Sequence, residues 1–331
     1  MINILAKEQY DDLLKKRDTT FLESSTYGIA SEIIGKNYLL FGILEQNQYV
    51  DCFLVLKEKL LLSKYDKFIL FHPTIDQYLL SKEMKKQFKK MNGLFYTKLS
   101  NDGNVIHKMY HLELTNKLLQ QFDSEVRTNI NNAYTYPLEL VDVNEKNIDV
   151  FCLLFKNKLN KKNIQDNLYN RDFQFKMVIL NISEYIDSLL KQKNELMLKK
   201  AEEKMFDNMD DMTGIERKIE VIDFNINVLN QIKEKKGNIL FLSAGIFFTY
   251  QDQFIEFYSV YDTELSELNA AYYLTFKMMK YALENGYREY FNMNINNHFH
   301  LEEILIHEGS ENIIRKLKYQ LYIRKKEKKN A

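Results

Sequence analysis

The stretch GIERKIEVIDFNINVLNQIKEKKGNILFLSAGIFF, Gly214 to Phe248, contains two different apolar patterns. Before Gly237 the apolar residues recur every three or four positions, which predicts an amphipathic helix with a coiled-coil stripe. After Gly237 they form a continuous run, as in a buried strand. A long helix therefore leads directly into a sheet. The predicted stripe consists of Ile215, Ile219, Ile222, Ile226, Leu229 and Ile232.

The segment before this stretch offers the helix a partner. Residues 182–206 carry a second apolar set that includes Ile186, Leu189 and Leu196, and the polar run DNMDDMTG at 207–214 is predicted to link the two helices. Two amphipathic helices joined by a short link can bury each other's stripes. The sequence thus predicts an antiparallel helical hairpin, a short coiled coil, inserted at 183–236.

Lysines on this predicted hairpin allow two interpretations. They could contact the phosphates of a nucleic acid, or they could belong to an ordinary solvated face, since glutamates lie among them. A purely structural coiled coil or a dimer interface also stays open. The lysines are Lys191, Lys193, Lys199, Lys200, Lys204, Lys233, Lys235 and Lys236.

Short strands alternate with helices on both sides of the hairpin, which predicts an α/β (α+β) protein of two units. We place the first unit at 1–110, with C-terminal segments able to return to it, and the second at 111–331. In the second unit HLELTNKLLQQF (111–122) and Ser266 to Asn285 read as helices. Ser124 is expected to cap the helix SEVRTNINNAYTY, and Gly286 to end the later one.

Composition excludes several classes of function. The chain has 331 residues with 46 basic and 46 acidic side chains, so bulk charge does not attract polyanions. The basic tail at 313–330 reads as a solvated terminus or as a contact for nucleic acid or anionic lipid. Only two cysteines occur, no signal-peptide pattern opens the chain, and no apolar run is long enough to span a membrane. We therefore expect a cytoplasmic protein, with peripheral contact at the inner face of the membrane as an option.

Several stretches, taken in order, resemble the Fem (FemABX) family of peptidyltransferases. TTFLESSTYG (19–28) is similar to the family stretch F-x-Q-S-x-x-W-G, FHPTID (71–76) to R-G-P-x-x-D, and EVRTNINNA (125–133) to R-x-x-I-x-x-A. The strands, helix and strand that follow the predicted hairpin also resemble the family's. The hairpin stands where the family has its helical arm.

The resemblance implies two acetyltransferase-like (GNAT-like) domains, with the helical arm in the second. It implies an aminoacyltransferase that moves an amino acid from aminoacyl-tRNA, as co-substrate, to an amine of a lipid-linked or nucleotide-linked peptidoglycan precursor peptide, building interpeptide bridges. Because the ester is already activated, no covalent nucleophile and no cofactor is expected. The transferred amino acid, the acceptor and the oligomeric state stay open.

The same resemblance points to individual residues. Arg171, in NLYNRDFQF, falls where the family has an arginine followed four residues later by tyrosine, although here Phe175 replaces the tyrosine. Tyr258, in EFYSVYD, matches a family tyrosine. Both are predicted substrate contacts, with packing or a surface ion pair as the alternative, and Arg127 is predicted to be structural.

The C-terminal region departs from the family pattern. The family's Phe-Lys pair is not matched in LEEILIHEGSE (301–311), so the catalytic candidates are His307 and, from shifted positions, Lys316 and Lys318. Two alternatives follow: an acyl-CoA-dependent N-acyltransferase acting on a surface sugar or small amine, and a catalytically silent Fem-like binding protein. His298, His300 and His307 carry nitrogen donors suited to a metal ion, but no metal site is predicted.

Overall fold

The protein is described by a computed structural model covering residues 2–17, 19–59, 66–71, 88, 90, 91, 93–100, 104–205, 209–294 and 298–308. It has a mixed α/β fold, as the sequence predicts, built on one sheet of twelve strands. The strands are β1 (Ile2–Ile4), β2 (Asn37–Glu45), β3 (Gln48–Lys59), β4 (Asp66–Phe71), β5 (Gly93–Ser100), β6 (Asn104–Glu113), β7 (Leu138–Asp142), β8 (Phe173–Asn181), β9 (Ile239–Tyr250), β10 (Gln253–Tyr261), β11 (Glu289–Asn292) and β12 (Glu302–Glu308).

The helices lie between these strands. They are α1 (Lys7–Leu14), α2 (Ser25–Ile33), α3 (Ser124–Ala133), α4 (Ile148–Leu154), α5 (Lys161–Asn167), α6 (Ile182–Met205), α7 (Met209–Lys236) and α8 (Ala270–Glu284). Among the helices in the described part of the chain, none is both long and apolar enough to cross a bilayer.

We describe the sheet as two halves, the first from β1 to β5 and the second from β6 to β11, with β12 between them. The order is β1-β2-β3-β4-β5-β12-β6-β11-β10-β9-β8-β7. Each half contains one parallel pair, β4 with β5 and β10 with β11, in an otherwise antiparallel arrangement. Strand β12 pairs with both β5 and β6 and so joins the halves. The domain boundary at residue 110 stays a prediction.

Apolar packing also links the halves. One buried cluster contains Phe21 and Ala30 from the first half together with Phe155, Phe248 and Phe257 from the second. Backbone contacts reinforce it, because the amide of Asn160 donates to the carbonyl of Ile33 at 2.7 Å. Helix α2 is therefore fixed against the second half.

Helices α6 and α7 form the predicted hairpin. Of the predicted stripe, Ile215, Ile222 and Leu229 are buried, and so is Leu189 on α6. At the base of the hairpin the Ser183 hydroxyl donates to Asn238 Oδ1 at 2.6 Å, which holds the start of α6 beside the end of α7. Burial of the two stripes against each other accounts for a helical pair of this length.

Among the hairpin lysines whose side chains are described, four are engaged within the protein. Lys193 pairs with Asp223 at 2.5 Å and Lys200 with Glu216 at 2.6 Å, both across the hairpin. Near its base Lys233 donates to the Ser183 hydroxyl and Lys236 to Glu264. These contacts favour the interpretation of a solvated, internally paired face.

Four local predictions are wrong. Residues 111–122 do not form a helix: β6 continues to Glu113, and a short 3-10 turn follows at Leu118–Gln121. Asp123, not Ser124, caps α3, since its carboxylate accepts from the Val126 amide at 2.9 Å. Residues 209–214 belong to α7 and not to a link. Helix α8 begins at Ala270 and not at Ser266 as predicted, since Asn269 before it has a left-handed φ of 54°.

Candidate functional site

A candidate site forms where β10 and β11 separate. The two strands pair only from Gln253 to Glu256 on β10. The register against β9 shifts between Glu256 and Tyr258, which marks a β-bulge. Beyond the bulge the Ser259 amide donates to the side chain of Asn294 at 2.8 Å. The edge of β10 is thus opened beside a polar side chain.

A cavity of about 570 Å³ lies at this opening, a size typical of small-molecule sites. We call it the seam cavity, because residues from both halves of the protein line it. Helix α2 and the turn after it contribute one wall, the end of α4 a second, and β10 with the residues after β11 a third. The lining residues are Tyr27, Ser31, Ile34, Lys36, Leu154, Phe155, Lys156, Lys158, Phe257, Tyr258, Ser259, Val260, Tyr261, Thr263, Met293 and Asn294.

The charge of the seam cavity is one-sided. Lys36, Lys156 and Lys158 line it, and no aspartate or glutamate does among the described residues. Lys156 and Asn157 both have left-handed φ values, 53° and 55°, where α4 ends. Non-glycine residues adopt this conformation at a cost and often near functional sites. The cavity is suited to an anionic ligand such as a phosphate.

A buried carboxylate adjoins the seam cavity. Glu256 on β10 is 1% exposed. Its Oε1 accepts from the Ser259 hydroxyl at 2.6 Å and from Asn294 Nδ2 at 2.8 Å. Its Oε2 accepts from the Thr275 hydroxyl at 3.0 Å and from the Tyr290 hydroxyl. We call these five residues the Glu256 cluster.

Burial dominates the electrostatics of this cluster. It raises the pKa of the Glu256 carboxyl, although the four hydrogen bonds act in the opposite direction. A cavity of about 40 Å³ lies beside Glu256, and Ser259 and Asn294 line both this small cavity and the seam cavity. The cluster therefore connects the seam cavity with a buried proton acceptor.

The residues predicted from the sequence lie in different places. Tyr258 lines the seam cavity and packs against Phe155, with ring centroids 5.1 Å apart. Arg171 lies on an exposed turn before β8 and is not among the described residues that line the cavity. Arg127 is exposed on α3. Substrate contact by Arg171 and Tyr258 stays a prediction.

The catalytic candidates from the C-terminal region cannot be placed in the same way. Lys316 and Lys318 lie outside the described residues, and for His307 only the backbone is described, in β12 opposite Ser100 and Val105. Residues 72–76 of the stretch FHPTID also lie outside them. These candidates stay predictions.

Glu23 has a structural role in the stretch TTFLESSTYG. It forms a capping box with Thr20, and its carboxylate accepts from Arg17 at 2.7 Å. The same arginine lies 3.3 Å from Asp51 on β3. The glutamate that replaces the family's glutamine therefore fixes the chain before α2.

Two of the three histidines with possible metal donors, His298 and His300, contact protein side chains. His300 Nδ1 lies 2.6 Å from Asp123 Oδ2 at the start of α3. The ring of His298 packs against Tyr261 and Tyr272. Among the described residues, no three His, Cys, Asp or Glu side chains lie close enough together to hold an ion.

The Glu256 cluster was not predicted from the sequence, although the sequence contains one signal for it. In the strand QFIEFYSVY, Phe254 and Glu256 are two positions apart and so face the same side of the sheet. Phe254 is fully buried. A glutamate in register with a core phenylalanine indicates a buried acid, which needs hydrogen-bond donors around it.

Comparison with known proteins agrees with this architecture. Aminoacyltransferase FemA of Staphylococcus epidermidis is 23% identical over 212 residues, 56% of this chain and 50% of the relative. This chain thus matches about half the length of the curated relatives. The crystal structure of FemX superimposes with a TM-score of 0.57 at 13% identity, covering 95% of this chain and 90% of FemX. It shows the same fold. A tandem GNAT protein from the clavulanic acid biosynthesis pathway aligns with a TM-score of 0.46 and 9% identity, covering 94% of this chain and 99% of that protein.

The family model agrees as well. The model of the FemAB family matches residues 100–303, more than half of the chain. The matched region contains the hairpin, β10, β11 and the Glu256 cluster. The chain is a member of the FemAB family.

Proposed function

We propose that the protein is an aminoacyltransferase that moves an amino acid from aminoacyl-tRNA to an amine of a peptidoglycan precursor peptide. The observation that carries the proposal is the seam cavity, which combines lysines, no described carboxylate and a neighbouring buried acid. The lysines are suited to the phosphates of a nucleotide-linked or lipid-linked precursor. Family membership and the aminoacyltransferase FemA relative support the reaction class.

The reaction asks little of the protein beyond positioning. The amine attacks an ester carbonyl that is already activated, so close approach, removal of a proton and stabilisation of the developing oxyanion suffice. Tyr258 is proposed to contact the acceptor in the seam cavity, and Arg171 to contact it from outside the described lining. The reaction would take place in the cytoplasm, with lipid-linked acceptors reached at the membrane surface.

An acyl-CoA-dependent reaction has less support. Enzymes of that kind hold the pyrophosphate with a glycine-rich turn between a strand and the following helix. Here the connection from β10 to α8, residues 262–269, contains no glycine. We therefore do not propose coenzyme A as a substrate.

The test is transfer of radiolabelled amino acids from a total charged-tRNA pool onto nucleotide-linked and lipid-linked muropeptides. The double variant Lys156→Glu, Lys158→Glu reverses two charges in the seam cavity. A charge-assisted hydrogen bond contributes about 1.5–3 kcal/mol, so we expect KM for the acceptor to rise by about 10-fold to 100-fold or more. Lys162→Glu is the matched control, because Lys162 is exposed on α5 and outside the cavity lining.

Three results separate the candidates. Transfer that the cavity variant weakens and the control retains supports the proposal. Precursor binding by the wild type without any transfer indicates a catalytically silent member of the family. Equal transfer by both lysine variants contradicts the seam cavity as the acceptor site.

A further inference from the structure

The Glu256 cluster places a carboxylate one hydroxyl away from the seam cavity. Ser259 lines the cavity, and its hydroxyl donates to Glu256 Oε1 at 2.6 Å. The carboxylate itself lies behind the serine, between β10, β11 and α8, and is 1% exposed. A group bound in the cavity can therefore reach Glu256 through the serine or through the amide of Asn294.

Burial of an acid at this point is costly for the fold. An ionised carboxylate loses its hydration, and apolar side chains of similar volume would fill the space at no such cost. The cluster offsets part of this cost with four donors, which is the number that the two oxygens of an ionised carboxylate accept. A buried acid with a raised pKa beside a cavity is typical of a functional site.

We propose that Ser259 and Glu256 form a proton relay for amide formation, an inference that rests on the proposed function. As the neutral amine attacks, the new N–C bond forms and the nitrogen becomes positively charged. Its proton moves to Ser259 Oγ while the serine proton moves to Glu256 Oε1. When the C–O bond to the tRNA ribose breaks, the same proton returns through Ser259 to the departing oxygen. Amine and ester thus give amide and alcohol with no net gain or loss of protons.

In this relay Ser259 is the catalytic residue and Glu256 a positioning residue that acts through it. Asn294 holds the geometry from both sides, because its side chain accepts from the Ser259 amide and donates to Glu256. Burial of Glu256 makes its carboxylate a stronger proton acceptor than an exposed glutamate, which suits the task.

The groups that face Glu256 do not compete for this role. Tyr290 on β11 donates its hydroxyl to the carboxylate, and burial raises its pKa well above the usual value. Tyr261 and His298 line the same small cavity, and burial lowers the pKa of His298, which favours its neutral form. No lysine or arginine lines that cavity among the described residues.

The decisive variant is Glu256→Gln. Its amide oxygen can still accept from Ser259 and Asn294, and its NH2 group can donate to the hydroxyl oxygens of Thr275 and Tyr290, so the fold is retained. The basicity of the carboxylate is lost, together with the two hydrogen bonds that it accepts from Thr275 and Tyr290. We expect kcat to fall by about 10²-fold to 10⁴-fold, with KM for the acceptor unchanged. The limb of the pH profile of kcat that reports Glu256 should also disappear. If Glu256→Gln transfers amino acid with the kcat of the wild type, the relay is overturned.

Two further variants separate relay from structure. Ser259→Ala should lower kcat to the same extent as Glu256→Gln does. Ser259→Thr, which keeps a hydroxyl, should restore transfer. Thr275→Val removes a donor to Glu256 on the side away from the seam cavity. If Thr275→Val reduces kcat as much as Ser259→Ala does, the cluster is merely structural and the relay is refuted.

A readout independent of activity completes the test. In protein labelled with ¹³C at the glutamate carboxyl groups, the Glu256 signal is identified by its loss in Glu256→Gln. We expect it to titrate above about 4.3, the ordinary glutamate value, and to move higher in Ser259→Ala, where a stabilising donor is lost. Titration at the ordinary value in both proteins overturns the relay. Absence of transfer by the wild type with every acceptor counts instead against the proposed function.

Discussion

Gly28 on α2 is predicted to be required by packing, although alanine is the better helix former. A Cβ atom at this position would lie 2.5 Å from Cδ2 and 2.9 Å from Cγ of Tyr38 on β2. Because Cγ is bonded directly to Cβ of Tyr38, relief of this contact requires the whole ring to change its χ1 rotamer or the strand to move. Helix α2 also supplies Tyr27 and Ser31 to the seam cavity, so its seat on the sheet affects the site.

The expected magnitude follows from two opposing effects. Glycine to alanine stabilises a helix interior by about 1 kcal/mol. Overpacking a filled core costs about 1–3 kcal/mol. Since the contact involves the inner atoms of the ring, we expect the upper part of that range and a net loss of about 1–2 kcal/mol for Gly28→Ala. Urea unfolding followed by circular dichroism measures this change.

The matched control is Gly214→Ala on α7. Gly214 is also helical, but a Cβ there would meet no atom of the rest of the described chain within 4 Å. The same chemical change should therefore stabilise the protein, by about 0.8–1 kcal/mol. If Gly28→Ala proves as stabilising as Gly214→Ala, the packing argument for α2 is wrong.

Three other predictions concern burial. Because burial raises the pKa of Glu256, the folded state holds the proton of this carboxyl more tightly than the unfolded state does. As the pH rises from the ordinary glutamate pKa through the raised pKa, the free energy of unfolding of the wild type should therefore fall relative to that of Glu256→Gln. Urea unfolding at a series of pH values measures this difference. In the hairpin, Ile222→Ala should cost about 2–5 kcal/mol and speed hydrogen exchange of α6 and α7, whereas Val221→Ala, at a side chain 59% exposed, should change stability by less than about 0.5 kcal/mol. Burial also raises the pKa of the Cys52 thiol to about 12, so iodoacetamide should label it in urea and not in the native protein at pH 8.

Patterns of local origin could be read from the sequence. The hairpin stripe from Ile215 to Ile232 predicted both the helix and its buried face, since i, i+3 and i+4 positions share one side of a helix. Gly286 was predicted as a helix end and follows α8 with a φ of 84°. The helix predicted at 111–122 does not form, because pairing of β6 with β11 and β12 outweighs the helical spacing of this segment.

The site depends on contacts that the sequence does not reveal. Lys36 and Lys156 are 120 positions apart and meet only because α2 packs against the second half. The four donors of Glu256 come from β10, α8 and β11 and the residues after it. Tyr258 was predicted through the family resemblance. The position of Ser259 beside the carboxylate of Glu256 depends on the bulge in β10, which the sequence does not reveal.

The central claim is that the seam cavity serves an aminoacyl transfer. Its most direct test is the rate at which labelled amino acid passes from charged tRNA to a nucleotide-linked muropeptide, compared between the wild type and the variant Lys156→Glu, Lys158→Glu. We predict acceptor-dependent transfer by the wild type, reduced about 10-fold or more at low acceptor concentration by the charge reversal. A folded wild-type protein that transfers no label to any acceptor, or a variant that transfers at the wild-type rate, would contradict this function of the seam cavity.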